Sequence, residues 1–237
     1  MQNDKINLSL IIPIGLMLFS FFFGAGNLIF PPVLGQMAGE NIGWGMLGFC
    51  LSGVGFPLLG VLAMAMKQSD NPDSIAMPMH PLYARAVTIL CALAIGPLFA
   101  IPRTAAVSFD TGIHSLLPAS CEAIGLPVYT VFFFVLTYFF SINPSKIIGH
   151  IGKFLSPMLL ICLAVLVVCV FVNPTGSLKM PNPDFAASPF FRGFQEGYNT
   201  MDLLAAILFG SITIKAIEAQ GITDKKVLTK LCSYAGL

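Results

Sequence analysis

Charge is scarce in this chain. Only 10% of its 237 residues are Asp, Glu, Lys or Arg, and twelve basic residues against eleven acidic leave a formal net charge of +1. There is no Lys/Arg-rich run to track phosphates, so nucleic-acid binding is excluded. The three histidines are not at ligand spacing, and Cys50, Cys91, Cys121, Cys162, Cys169 and Cys232 are scattered without a Cys-x-x-Cys pair. A structural metal centre is therefore not expected, and these thiols read as small core residues. His-Glu-x-x-His, paired intramembrane aspartates and Gly-x-x-x-x-Gly-Lys-Ser/Thr are all missing, which leaves an enzyme without the groups it would need. No cofactor is expected. What fills the sequence is apolar: 56% of residues are hydrophobic, the mean hydropathy is +0.85, and an all-α polytopic membrane protein follows.

Hydropathy suggests a single transmembrane domain over 1–237 with about six spans, near 8–34, 42–66, 83–107, 127–143, 149–172 and 198–221. The first is not a cleaved signal, because it outlasts a usual signal core and meets Pro31-Pro32 rather than a small-residue cleavage site. Lys5, Lys67, Arg85, Lys146, Lys153, Lys225, Lys226 and Lys230, eight of the twelve basic residues, flank one side of these spans. Arg103, Lys179 and Arg192 flank the other, and Lys215 lies inside the sixth. The positive-inside rule then puts both termini in the cytoplasm.

The first span is interrupted. Apolar residues run from Leu8 to Leu34, roughly 40 Å of helix against a core of ~30 Å, and Gly24-Ala25-Gly26-Asn27 falls near the middle. Two glycines cost about 2 kcal/mol of helix propensity, and an Asn amide is unsatisfied in hydrocarbon. Either these small residues serve close helix packing, or the helix breaks here and its freed N–H and C=O groups hold a polar solute.

Elsewhere the residues give narrower readings. Gly43, Gly45, Gly48, Gly53, Gly55 and Gly60 in the second span suit close backbone packing. Pro97 and Pro102 predict a kink in the third, where Arg103 reads as snorkelling, as part of a structural ion pair, or as gating a cavity. The sixth opens with Gly197-Tyr198-Asn199-Thr200-Met201-Asp202, in which Asp202 reads as a helix cap ahead of a cation or proton site. Phe209-Gly210-Ser211-Ile212-Thr213 then matches the first span's break in depth, and Lys215 and Glu218, three apart, are expected to pair.

The stretch Gly15 to Pro32, followed by Gly35-Gln36 and Ala38-Gly39, closely resembles the start of the bacterial branched-chain amino-acid:cation symporters, the carrier II type. The likeness continues through Gly96 to Phe109 and Gly197 to Ala206, and so covers essentially the whole chain. The resemblance implies a symporter of leucine, isoleucine and valine, coupled to Na+ or H+, in the bacterial inner membrane. It also implies the LeuT-like five-plus-five inverted-repeat fold, with the first and sixth helices broken. By that likeness the backbone of Gly24, Ala25 and Gly26 faces the substrate, with Phe209, Gly210 and Ser211 opposite. Ser20, Phe23, Asn27 and Thr213 would serve the cation.

The resemblance further implies a carrier about twice this length. The 237 residues would hold the first repeat and the sixth helix, but not the eighth, which completes a cation site in that fold. The chain by itself is expected not to transport. It would act with a separate C-terminal half, or else be a truncated or split gene product with only a structural or regulatory role in the lipid bilayer. The nucleotide sequence immediately downstream separates a broken gene from a split one.

Overall fold

The first helix stops where its glycines begin. Helix α1 (Leu8–Phe22) ends at the Phe23-Gly24 step, Gly24 is extended at φ −113° and ψ −177°, and α2 (Ala25–Ala38) starts on the next residue. The computed structural model of the chain describes residues 8–67, 69–118, 122–142, 156–173, 179–219, 221–222 and 224–236. The sequence readings at Lys5, Cys121, Lys146, Lys153 and the start of the fifth span fall outside these residues.

Every regular element among the described residues is helical. At Gly39 (φ +49°) the chain leaves α2, and there a Cβ would collide with the Lys179 carbonyl, so only glycine fits. The second segment is α3 (Ile42–Cys50) and α4 (Phe56–Lys67), joined by a wider π-helical turn at Leu51–Gly55. The third is α5 (Pro81–Leu93) and α6 (Ala100–Gly112), with a second π-helical turn at Ala94–Leu98. The expected kink lies there, at Gly96 (ψ −115°) and Pro97. Pro102 falls in the first turn of α6, where a missing N–H costs nothing. Helices α7 (Glu122–Ser141) and α8 (Ser156–Val172) follow, then the short α9 (Pro183–Ala187), α10 (Pro189–Tyr198), α11 (Asp202–Glu218) and α12 (Lys225–Gly236).

Three runs are long and apolar enough to cross a membrane: Ala25–Lys67, Pro81–Gly112 and Ile124–Ser141. The pair Pro189–Tyr198 and Asp202–Glu218, bent by 43°, makes a fourth, while Leu10–Phe22 and Pro157–Val172 are apolar but shorter. By length and composition the protein is thus a multi-pass helical membrane protein.

The sixth segment differs from its sequence reading. It begins at Pro189 rather than 198, and its interruption lies at Asn199–Met201, not at Gly210. Helix α11 winds unbroken through Phe209, Gly210, Ser211 and Thr213. Gly210 serves contact there, because a Cβ would meet Met64 at 3.2 Å. Ser211 and Thr213 donate their hydroxyls back to the carbonyls of Leu208 (2.7 Å) and Phe209 (2.8 Å), which leaves the helix no unmet demand. Asp202 does not cap: the N-cap position is Met201, without a side-chain cap bond. Lys215 meets Asp70 at 3.5 Å instead of pairing with Glu218, because the 69–79 connection brings that carboxylate to the end of α11.

Two apolar clusters carry the packing. Ile14 and Leu18 of α1, Val61 and Met64 of α4, Ile214 and Ile217 of α11, and Leu228 and Leu231 of α12 form one. Leu34, Ala38, Phe49 and Phe185 form the other. Between α3 and α10 the approach is backbone to backbone. A Cβ on Gly193 would strike the Gly45 carbonyl, and one on Gly48 the Phe190 carbonyl. The packing role read for the second span is therefore met at Gly45 and Gly48 against α10, at Gly53 against Gly197 and at Gly60 against Ala206. Gly193→Ala is expected to lower stability by about 1–3 kcal/mol through overpacking. Thermal unfolding of the purified protein in detergent checks this; an unchanged midpoint would show that the two helices can part freely.

Candidate functional site

The two interruptions meet. Gly26, in the first turn of α2, packs so tightly on the second break that a Cβ would lie 3.3 Å from the Thr200 Cα and 3.1 Å from Arg103 Nη2. Any side chain at 26 would push the breaks apart, so glycine is required for closeness rather than for backbone freedom.

Polar groups from three elements converge at this crossing. Asn27 Nδ2 donates to the Phe22 carbonyl at 2.8 Å, which bridges the first break, and to Asp202 Oδ2 at 3.0 Å, which ties it to the second. Asp202 opens α11 and is only 8% exposed. Thr200, whose hydroxyl donates to the Gly197 carbonyl at 2.7 Å, lies beside that carboxylate. From α6, Arg103 donates Nη1 to the Asn199 carbonyl (2.8 Å) and Nη2 to the Thr200 carbonyl (3.3 Å). Its guanidinium also stands 5.4 Å from the centre of the Phe30 ring. These bonds satisfy carbonyls that the end of α10 leaves without helical partners. They also brace Met201, whose left-handed backbone (φ 68°) is the one positive φ at a non-glycine among the described residues.

Beside the crossing lies a cavity of about 430 Å³, within the usual size of small-molecule sites. Leu18, Phe22, Phe49, Val54, Leu58 and Val61 give it apolar walls, and Asn27, Thr200 and Asp202 form its polar end. Ala235 and Gly236 of α12 close another side.

Phe23 and Asn27, of the substrate and cation residues named from the sequence, line this cavity, as does Asp202, read there as a cap ahead of a cation or proton site. Gly26 touches the crossing from behind, Gly24 is exposed with open space around its Cα, and Ala25 begins α2. Ser20 donates to the Leu16 carbonyl at 2.7 Å. Phe209 lies against the first helix, its ring 5.3 Å from Phe21 and 5.5 Å from Phe22. Gly210, Ser211 and Thr213 sit deeper in α11, buried against α4 and neighbouring helices. Two oxygens matter for a cation. Among the described residues Asn27 Oδ1 is buried without a hydrogen-bond partner, and hard cations take such oxygens as ligands. The Asp202 carboxylate is next to it.

Arg103 and Thr200 were not chosen from the sequence as site residues. An arginine near a span end reads as snorkelling, and nothing local reveals that the residues before Pro97 turn it inward. The signal for the second break was present but displaced. Asn199 to Asp202 is a polar run inside a longer helical segment that starts at Pro189.

A model of the family described as "Branched-chain amino acid transport protein" matches residues 7–237. Branched-chain amino acid permease BrnQ of Bacillus subtilis is 45% identical over 234 residues, covering 99% of this chain and 53% of its own. Branched-chain amino acid permease BraB of the same organism is 42% identical over 226 residues, covering 95% and 51%. The branched-chain amino acid transport system 3 carrier protein of Pseudomonas aeruginosa is 38% identical over 227 residues, covering 96% and 51%. This chain spans about half the length of these curated relatives. No solved structure matches it.

Proposed function

The chain belongs to the branched-chain amino acid transport protein family, and from that premise we propose that it forms the substrate-binding half of a carrier of leucine, isoleucine and valine. The observation that carries this reading is the cavity: apolar along most of its wall, polar where two interrupted helices cross. A branched aliphatic side chain needs the first, and a zwitterionic head group needs the second. Partial charges of helix ends meet such a head group without a full desolvated counter-ion for each charge. One methylene more or less in an apolar pocket changes affinity by only about 1–3 kcal/mol, so the three substrates share one site.

Uptake is coupled to Na+ or H+, with the Asn27 side-chain oxygen as the first ligand for a cation and Ser20, Phe23 and Thr213 as further candidates. Gly24, Ala25 and Gly26 present the start of α2 to the substrate carboxylate, and Phe209 to Ser211 back the opposite side. The arrangement is that of a six-span, LeuT-like first repeat plus sixth helix, in the bacterial inner membrane with cytoplasmic termini. The 237 residues span about half of such a carrier and do not transport alone; the other half of a carrier of that length supplies the rest of the ion's oxygen shell.

The test joins residues 1–237 to the second half of the Bacillus subtilis BrnQ permease in a strain without branched-chain amino acid uptake. Concentrative leucine uptake, inhibited by isoleucine and valine but not by lysine, is expected from the chimera and not from residues 1–237 alone. Uptake by the short chain would overturn the half-carrier reading. A membrane-inserted chimera that takes up no leucine would overturn the carrier reading itself, and the chain would then be a structural fragment.

A further inference from the structure

We infer that Asp202 binds the α-ammonium group of the substrate and so makes the site select amino acids over the corresponding hydroxy acids. This inference rests on the carrier reading. Among the described residues that line the cavity, Asp202 is the one formally charged side chain, and it is negative. It is more than nine-tenths buried, beside Asn27 and Thr200 at the polar end of a mainly apolar wall. A carboxylate in such surroundings is unfavourable unless its acceptor sites are filled.

The protein fills only some of them. A carboxylate offers about four acceptor sites. Asn27 Nδ2 takes one at 3.0 Å, and the Thr200 hydroxyl, shared with the Gly197 carbonyl, reaches a second, which leaves about two open. Arg103, the nearby cation, directs Nη1 and Nη2 to the carbonyls of Asn199 and Thr200. An ammonium brings three N–H donors for the acceptor sites that remain, and a positive charge inside a cavity that Arg103 does not line.

A zwitterion in the cavity thus has its ammonium toward Asp202 at the polar end. The aliphatic chain then extends along Leu18, Val54, Leu58 and Val61. A hydroxyl in place of the ammonium brings one donor and no charge, and leaves the buried carboxylate unpaired.

The experiment uses the chimera that carries the full 237-residue chain and measures uptake of labelled leucine, with 2-hydroxy-4-methylpentanoate as competitor. In the parent, leucine is expected to compete far better than the hydroxy acid. Asp202→Asn is expected to raise the KM for leucine about 100-fold while inhibition by the hydroxy acid holds or improves, which shows that the site is still folded. Asp202→Glu keeps the charge one methylene away and is expected to fall between. The inference is overturned if leucine KM in Asp202→Asn stays within twofold of the parent, or if both ligands weaken equally. It is likewise overturned if only the Na+ dependence shifts, which would assign the carboxylate to the coupling ion. A parent chimera that takes up no leucine removes the carrier reading and this inference with it.

Discussion

Arg103→Ala is expected to cut leucine uptake by the chimera about 100-fold or more. The guanidinium makes two charge-assisted bonds to main-chain carbonyls, at 2.8 Å and 3.3 Å, each worth about 1.5–3 kcal/mol. Those carbonyls belong to Asn199 and Thr200, the two residues before left-handed Met201. Without the arginine they have no fixed partner, and the geometry that aims Asp202 at the cavity loses its brace. Arg103→Lys is expected to restore little, because one ammonium cannot reproduce a rigid two-pronged fork. Uptake is compared at matched amounts of protein in the membrane. If Arg103→Ala transports within twofold of the parent, the arginine only anchors the third span at the interface.

The second large effect concerns the tie between the breaks. Asn27→Asp would set two carboxylates 3.0 Å apart in a buried site, and Asn27→Leu would remove the amide that donates to Asp202. Both are expected to destabilise the purified protein by about 3 kcal/mol, the scale of an uncompensated buried charge. The exchange Asn27→Asp with Asp202→Asn restores one carboxylate and one amide across the same gap. It is expected to recover at least half of that loss in thermal unfolding. The coupling between the two positions, of order 0.5–3 kcal/mol, is the quantity the cycle isolates. Strictly additive losses would mean that the two side chains act independently and that the breaks are held together by packing alone.

Some of this site was legible before any coordinates. Gly24 to Asn27 left two readings, a break or close helix packing, because two glycines and an amide are costly in a membrane helix, and the structure breaks the chain at Phe23-Gly24. The glycines of the second span announce close packing, and Gly45 and Gly48 meet α10 at backbone distance. The second interruption was misplaced by about ten residues. Gly210, Ser211 and Thr213 look like a weak point when only residue types are considered. In the fold the glycine admits Met64, and both hydroxyls bond within their own helix. Asn199 to Asp202 looked like the start of a helix because capping residues carry the same letters whether a helix begins there or resumes after a break.

The residue types by themselves determined that this is a multi-pass helical membrane protein whose first span either breaks or packs closely at Gly24 to Asn27. Those properties follow from transfer energies and backbone propensities, which act residue by residue. Tertiary structure alone decided that Asn27, Asp202 and Arg103 belong to one site. They are separated by up to 175 positions, and what unites them is that carbonyls and a carboxylate freed at one break must find donors, which only the other segments, packed against it, can supply.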